Sequence, residues 1–81
     1  MTSSIFTKKY SIFCHLLIES RKQNGLTQQK LAEILNKPQS FVSKYESGER
    51  RLDVIEFLEV ADALNINKPE FIEELELRSS K

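Results

Sequence analysis

Cys14 and His15 are the one cysteine and the one histidine of this 81-residue chain, and they are adjacent. A structural metal site needs three or four ligands of such types, so this pair is too small to hold a metal. A nucleophilic Cys or Ser needs a base at motif spacing, and the chain shows none, nor a glycine-rich phosphate loop. We therefore expect no catalysis, no metal and no cofactor. Cys14 is expected to be a small buried or half-buried helix residue, and His15 to lie on a solvated face.

Charge is unevenly distributed along the chain, although twelve Lys/Arg balance twelve Asp/Glu. Residues 1–52 carry nine basic and four acidic side chains, a net charge of +5, and residues 53–81 carry three and eight, a net charge of −5. A basic half can face phosphate while the acidic half turns away. The alternative is that the asymmetry only keeps the surface soluble, so charge alone does not identify a partner.

The first residues, MTSSIFTKKYSIF, do not have the pattern of a signal peptide, since Lys8 and Lys9 interrupt the apolar positions. No stretch approaches the roughly 20 apolar residues that a membrane span needs. The sequence therefore predicts a soluble, cytoplasmic protein with no membrane partner. Its length fits one domain, and a core of this size is marginal enough that oligomerisation is expected.

The sequence predicts an all-α fold of five helices, because apolar residues recur at steps of three and four without a period-two strand pattern. Capping residues suggest the boundaries. We expect helices from Thr7 to Asn24 (ended by Gly25), from Thr27 to Asn36, from about Pro38 to Ser47 (ended by Gly48), from the capping box Asp53/Glu56, and from Asn67 into a fraying tail, RSSK. The expected core residues are Tyr10, Phe13, Leu17, Leu26, Leu31, Ile34, Leu35, Val42, Tyr45, Val54, Phe57, Leu58, Ala61, Leu64 and Phe71.

The second and third helices are joined by only two or three residues, which is typical of a helix-turn-helix. The run NGLTQQKLAEILNKPQSFVSKYESGERRLDVIEFLEVADALNI closely resembles the XRE or Cro/repressor helix-turn-helix family. The matching positions are Arg21, Gly25-Leu26-Thr27-Gln28, Leu31-Ala32, Val42-Ser43, Glu46-Ser47-Gly48 and Ala61-Asp62-Ala63-Leu64. The resemblance extends from about Leu17 to Leu75 and implies a compact repressor-like DNA-binding domain at 13–77. It leaves 1–12 as an N-terminal extension running into helix 1 and 78–81 as a polar tail.

Four positions are implied to be structural. The family pairs the positions of Arg21 and Glu46 in a salt bridge that ties the first helix to the end of the third. Asn36 stands where the family usually has Gly, and a left-handed turn tolerates Asn. Pro38 stands where a Ser or Thr N-cap is common, so capping of the third helix must come from elsewhere.

The resemblance implies contacts to DNA bases at the start of the third helix. Gln39 and Ser40 lie in its first turn, where Gln can bond bidentately to adenine and Ser is less selective. Lys44 lies one turn deeper, within reach of guanine or of a phosphate. Phe41 is expected to be at least half exposed, and it has two interpretations: contact with a thymine methyl, or packing against the loop after Gly48.

Contacts to DNA phosphates are expected around the same helix. The family counterpart of Gln28 binds a phosphate, and a helix N-terminus offers unpaired N–H donors for this. Lys37, Arg50 and Arg51 flank the third helix on loops and are expected to clamp phosphates, with ordinary surface charge as the alternative. Ser43 lies near the same face and is expected at the DNA backbone.

These residues imply a sequence-specific double-stranded DNA-binding regulator, in the first instance a repressor, that reads the major groove with residues 38–47 and binds a palindromic operator as a homodimer. The alternative is an antitoxin or anti-repressor type module that binds a protein partner. The basic and amide side chains above favour DNA. Two surfaces remain open for the dimer: helix five (Phe71, Ile72, Leu75, Leu77) or the N-terminal segment (Ile5, Phe6, Tyr10).

Overall fold

The computed structural model describes residues 7–80, which form five helices and, within this range, no strand. The helices are α1 (Lys8–Gln23), α2 (Gln28–Leu35), α3 (Gln39–Ser47), α4 (Val54–Ala63) and α5 (Lys68–Ser79). The expected all-α, five-helix fold is therefore confirmed. Helix α1 packs against α3 and α5, while α2 packs against α3 and α4. None of the described helices is long and apolar enough to cross a membrane.

Four of the five helices begin at a side chain that caps them. Thr7, Thr27, Asp53 and Asn67 each accept a hydrogen bond from the backbone N–H three residues later, at 2.7–3.1 Å. Such bonds satisfy N–H groups that have no partner inside the helix. The exception is α3, where the N-cap Pro38 makes no side-chain cap hydrogen bond. Helix α3 therefore begins without the side-chain acceptor that the other helices have.

Left-handed residues end the first four helices. Gly25, Asn36 and Gly48 have φ values of 71°, 60° and 85°, as their sequence positions predict, and Asn65 has an unpredicted φ of 55°. Asn and Gly adopt this conformation at less cost than other residues. The turn between α2 and α3 is thereby held to three residues, and the Lys37 N–H donates to the Ala32 carbonyl at 2.9 Å.

The core lies between α1, α2, α3 and α4, with α5 closing one side. Leu17, Leu31, Val42, Tyr45 and Val60 are fully buried. An aromatic cluster of Phe13, Phe57 and Phe71 joins α1, α4 and α5, with ring centroids 5.2–5.8 Å apart. This packing fixes α3 with its outer face directed away from the core.

Three residues expected in the core are exposed instead: Ile34 (53%), Val54 (71%) and Leu58 (37%). A helix buries a stripe only somewhat wider than about 100°. In α4 that stripe is filled by residues such as Val60 and Ala61, so Val54 and Leu58 lie beside it in solvent. Ile34, near the end of α2, borders a shallow groove beside the polar side of α4.

Helix α5 continues to Ser79, so the expectation that the tail RSSK frays is wrong for its first two residues. Arg78 explains the extension, because its Nε donates to Glu74 Oε2 at 2.6 Å and its guanidinium lies 3.7 Å from Glu19 on α1. Lys81, Ile5 and Phe6 lie outside the described residues. Tyr10, the third residue of the N-terminal dimer segment expected from the sequence, is buried within this chain, with 9% of its surface exposed.

Candidate nucleic-acid interface

The outer face of α3 presents a row of polar side chains. Gln39, Ser40, Lys44 and Ser47 are exposed and Ser43 is partly exposed. Their spacing of one, four, five and eight residues places them on one side of a helix. The opposite side carries the buried Val42 and Tyr45, so packing of the core alone fixes which side faces outward.

A buried ion pair holds the C-terminal half of α3 to α1. Arg21 Nε donates to Glu46 Oε2 at 2.8 Å, and Arg21 Nη2 donates to Glu46 Oε1 at 3.2 Å. The side chains are 11% and 4% exposed. Arg21 Nη1 also donates to the Leu26 carbonyl at 2.8 Å, so the guanidinium ties together α1, the α1–α2 turn and α3. This is the pair that the resemblance implies at these positions.

The ion pair orients the side-chain amides of Gln28 and Gln39, which link the buried Glu46 to the surface of α3. Glu46 Oε1 accepts from Gln28 Nε2 at 2.8 Å, and Gln28 Oε1 accepts from Gln39 Nε2 at 3.3 Å. An ionised carboxylate only accepts hydrogen bonds, so Gln28 must turn its NH₂ group towards Glu46 and its oxygen towards Gln39. Gln39 then keeps its own oxygen and one N–H for a partner outside the protein. An acceptor beside a donor is the pattern that adenine requires in the major groove.

Phe41 is only partly exposed, so the expectation that it is at least half exposed is wrong. The edge-on ring of Tyr45 lies 5.6 Å from the Phe41 centroid. Two cations cover the Phe41 ring: Lys37 Nζ at 5.4 Å and Arg50 Cζ at 5.0 Å from the centroid. Packing against the loop after α3, the second interpretation of this residue, is thus present.

Arg50 is held by an acidic side chain of α4. Its Nη1 and Nη2 donate to the two carboxylate oxygens of Glu56 at 3.0 and 2.7 Å, and Nη1 also donates to the Arg51 carbonyl at 3.2 Å. The hydrogen bonds that the Glu56 carboxylate accepts, first from Arg50 and then from the Asp53 N–H, lower the pKa of Glu56 to about 2. Three of the five guanidinium N–H donors are used, so the Nε–H and one N–H of Nη2 remain for further acceptors.

Tyr10 organises the loop that carries the two arginines. Its hydroxyl donates to the Arg50 carbonyl at 3.1 Å and accepts from the Leu52 N–H at 3.1 Å. The guanidinium of Arg51 lies 4.8 Å from the centre of the Tyr10 ring. Burial raises the pKa of Tyr10, so the hydroxyl stays protonated as this donor. The sequence predicts Tyr10 as a core residue and as a member of the N-terminal dimer segment. Its role in this loop is not predicted, because no local pattern links it to a loop 40 residues away.

Cys14 and His15 take no part in this surface. Cys14 is buried, its thiol donates to the Tyr45 carbonyl at 3.1 Å, and burial raises its pKa, which disfavours the reactive thiolate. His15 is exposed and lies 3.5 Å from Glu19. Among residues 7–80, no group of three or more His, Cys, Asp or Glu side chains is placed to hold a metal ion.

The candidate interface therefore has three parts. The outer face of α3 carries Gln39, Ser40 and Lys44; the start of α2 contributes Gln28; and the loops on either side of α3 contribute the cations. Glu56 is a functional candidate that sequence reasoning treated only as a capping residue. Its separation from Arg50 matches no helical repeat, so no local signal could have identified the pair.

Comparisons with known proteins agree with this geometry. A family model described as Helix-turn-helix (HTH_3) matches residues 17–71. Among solved structures, the chain is similar to an XRE-family like protein from Pseudomonas syringae pv. tomato str. DC3000, with 43% sequence identity and a TM-score of 0.81 over 86% of this chain and 85% of that one. No curated protein matches the chain. The chain belongs to the XRE-type helix-turn-helix family, whose members are DNA-binding transcriptional regulators and not enzymes.

Proposed function

We propose that this protein is a repressor that binds a palindromic operator as a homodimer and reads the major groove with α3. The observation that supports this most strongly is the exposed polar face of α3, on which Gln39, Ser40 and Lys44 lie beside a helix N-terminus without a side-chain cap. An α-helix fits the major groove, where each base pair has a distinct donor and acceptor pattern. The opposite face of α3 is occupied by the core, so only this face is available to DNA.

Gln39 is the principal base reader in this proposal. The hydrogen-bonded series from Arg21 through Glu46 and Gln28 sets the orientation of its amide before DNA arrives. Adenine offers the N6 donor and N7 acceptor that match the remaining oxygen and N–H of Gln39. Ser40 adds a less selective contact, and Lys44 bonds guanine or a phosphate.

Phosphate contacts supply affinity and register. The first turn of α2 offers backbone N–H donors, as anion-binding helix ends do, and the Gln28 amide keeps one N–H beyond its bond to Glu46. Lys37, Arg50 and Arg51 flank α3 on both sides, and cations so placed bind any sequence with a strong dependence on salt. Ser43, at the edge of the same face, is proposed to contact the DNA backbone.

The dimer surface we propose lies on α4, next to this interface. The α4 patch, defined as Val54, Ile55 and Leu58, has exposures of 71%, 64% and 37%. Val54 shares a groove with Ile72 of α5, which is 45% exposed. Of the surfaces expected from the sequence, α5 retains Ile72 and Leu77, since Phe71 is buried in the core. A two-fold dimer bound to a palindromic operator places its two reading helices about 34 Å apart, one turn of DNA.

The proposed function is tested by duplex binding measured by fluorescence anisotropy over a salt series. DNA from upstream of the protein's own gene is compared with random DNA, followed by selection from random sequences if neither is preferred. The variant Gln39→Ala/Lys44→Ala removes the α3 side chains. The control Lys22→Ala/Gln23→Ala removes the same residue types from exposed positions in the last turn of α1.

We expect the wild type to prefer its operator over random DNA by about 1,000-fold or more. The α3 variant should lose most of that preference, while the control should keep it. When the protein is added to an in vitro transcription reaction whose promoter contains this operator, the amount of transcript should fall. Failure of selection to yield any preferred duplex would overturn the proposal, and capture of a protein partner would then be the next experiment.

The dimer is tested by sedimentation of two surface variants. Ile55→Asp places an acid in the first turn of α4, and Leu77→Lys places a base in the last turns of α5, so each charge has the sign its helix end favours. We expect Ile55→Asp to be a monomer and Leu77→Lys to remain a dimer. The reverse result would move the interface to α5.

A further inference from the structure

We propose that Phe41 is a positioning residue that holds Lys37 and Arg50 at the phosphate backbone, and that it is not a reader of bases. The inference rests on the proposed function, because it assigns a role within the same DNA interface. It replaces the thymine-methyl interpretation of Phe41. The observations that carry it are the two cations above the Phe41 ring and the anchoring of that ring in the core.

The ring gathers cations from both ends of α3. Lys37 belongs to the turn before the helix and Arg50 to the loop after it, yet Nζ of Lys37 and Cζ of Arg50 lie 5.4 and 5.0 Å from the same centroid. Both distances lie within the roughly 6 Å over which an aromatic ring attracts a cation. Phe41 is itself fixed by the edge-on, fully buried Tyr45 at 5.6 Å.

Two cations at one ring repel each other, and Glu56 relieves that repulsion. Its carboxylate binds the Arg50 guanidinium through both oxygens, so Lys37, Arg50 and Glu56 together carry one net positive charge. The Nε–H and one Nη2 N–H of Arg50 and the ammonium of Lys37 remain for phosphate oxygens. The ring and the carboxylate thus restrict two long side chains that would otherwise lose more rotamer freedom on binding DNA.

The same contacts leave little of Phe41 for a base. Two cations already lie within 5.4 Å of the ring centroid and the ring is only partly exposed, so little of it is accessible to a thymine methyl. Gln39, Ser40 and Lys44, in contrast, are exposed on the outer face of α3. Phe41 should therefore contribute to affinity for any DNA sequence and leave the choice of sequence to its neighbours.

The test compares Phe41→Leu, which keeps apolar bulk and removes the ring, with Phe41→Tyr, which keeps the ring. Operator and random duplexes are titrated over a salt series with the full chain, and thermal melts establish that each variant is folded. For the free proteins, the NMR shifts of the Lys37 ε-protons and Arg50 δ-protons report whether the ring still covers them.

We expect Phe41→Leu to bind operator and random DNA more weakly by the same factor, about 5- to 20-fold. The slope of log K against log salt should become shallower by about 1–2, since one or two phosphates are lost. The operator preference should be unchanged, the upfield proton shifts should disappear, and Phe41→Tyr should restore all of these values.

Two results would overturn the inference. One is a Phe41→Leu variant that loses operator preference at an A·T position while its salt slope stays unchanged, which would make the ring a base reader. The other is a folded Phe41→Leu variant that binds both duplexes like the wild type. These results differ from failure of the proposed function, in which the wild type itself shows no preferred duplex.

Discussion

Two of the arginine–glutamate pairs among residues 7–80, Arg21 with Glu46 and Arg50 with Glu56, have nearly the same bond lengths and very different surroundings. Arg21 and Glu46 make hydrogen bonds of 2.8 and 3.2 Å with side chains 11% and 4% exposed. Arg50 and Glu56 make bonds of 3.0 and 2.7 Å with side chains 42% and 17% exposed. Removal of one partner leaves an unsolvated charge only where water cannot reach the site. The buried pair of Arg21 and Glu46 is therefore needed for stability, whereas the exposed pair of Arg50 and Glu56 can be changed at little cost in stability.

The two pairs also meet the candidate DNA surface differently. The buried pair acts through hydrogen-bonded amides, from Glu46 to Gln28 and on to Gln39, and so sets the geometry of the residue that we propose reads a base. The exposed pair acts through charge, because the Glu56 carboxylate partly neutralises the positive charge with which Arg50 would attract a phosphate. We therefore expect substitutions near the buried pair to change the choice of DNA sequence, and substitutions at the exposed pair to change affinity for any sequence.

The largest expected effect is at the buried pair. Glu46→Ala leaves the Arg21 guanidinium buried without its carboxylate, and should lower the free energy of unfolding by about 3–5 kcal/mol, measured in urea. Glu59→Ala, at an exposed position of α4, is the matched control and should change it by less than about 0.5 kcal/mol. The double variant Arg21→Met/Glu46→Leu should lose less than Glu46→Ala alone. Equal losses for Glu46→Ala and Glu59→Ala would contradict the assignment of the buried pair as structural.

A smaller effect is expected at the loop that carries the exposed pair. Tyr10→Phe removes the hydroxyl that bonds the Arg50 carbonyl and the Leu52 N–H, and should cost about 0.5–1.5 kcal/mol of unfolding free energy. Tyr45→Phe is the control, since the buried Tyr45 hydroxyl has no hydrogen-bond partner among residues 7–80. It should leave stability unchanged or raise it. A loss from Tyr45→Phe as large as that from Tyr10→Phe would contradict this assignment, because both variants keep the ring and only the Tyr10 hydroxyl is hydrogen-bonded.

The smallest effect is expected at the exposed pair and depends on pH. The folded pKa of Glu56 is about 2, below its ordinary value of 4.5, so the folded protein favours the carboxylate. Its contribution to stability is present above about pH 4.5 and is lost as the pH falls towards 2. The difference in unfolding free energy between wild type and Glu56→Gln should therefore shrink over this range. A difference that stays constant from pH 6 to pH 2 would remove the role given to this ion pair.

Local signals predicted much of the fold, and contacts distant in sequence account for what they missed. Thr27, Asn36, Gly48 and Asp53 each act through neighbours within a few residues, so the helix boundaries they indicate could be predicted. The exposure of Val54 depends on the rotation of α4 about its own axis against the core. The spacing of apolar residues indicates which side of α4 is buried, but it does not fix the edges of that side.

The features of the candidate site also fall into those that the sequence predicted and those that depend on contacts distant in sequence. The pair of Arg21 and Glu46 was predicted through family resemblance, and its 25-residue separation carries no local signal. The covering of Phe41 by Lys37 and Arg50 was missed, because it requires the turn before α3 and the loop after it to converge. Exposure of Gln39, Ser40 and Lys44 followed directly from the apolar spacing of Val42 and Tyr45.

Sequence recognition in the proposed interface depends on the reading of adenine by Gln39 from the major groove. The most direct test replaces each operator adenine in turn with 7-deazaadenine, which lacks the N7 acceptor, and measures the affinity of wild type and Gln39→Ala. We predict one position in each half-site where the replacement weakens wild-type binding by about tenfold and leaves Gln39→Ala unaffected. If no adenine position shows this coupling, or if Gln39→Ala is weakened as much as the wild type, α3 does not read the operator as described.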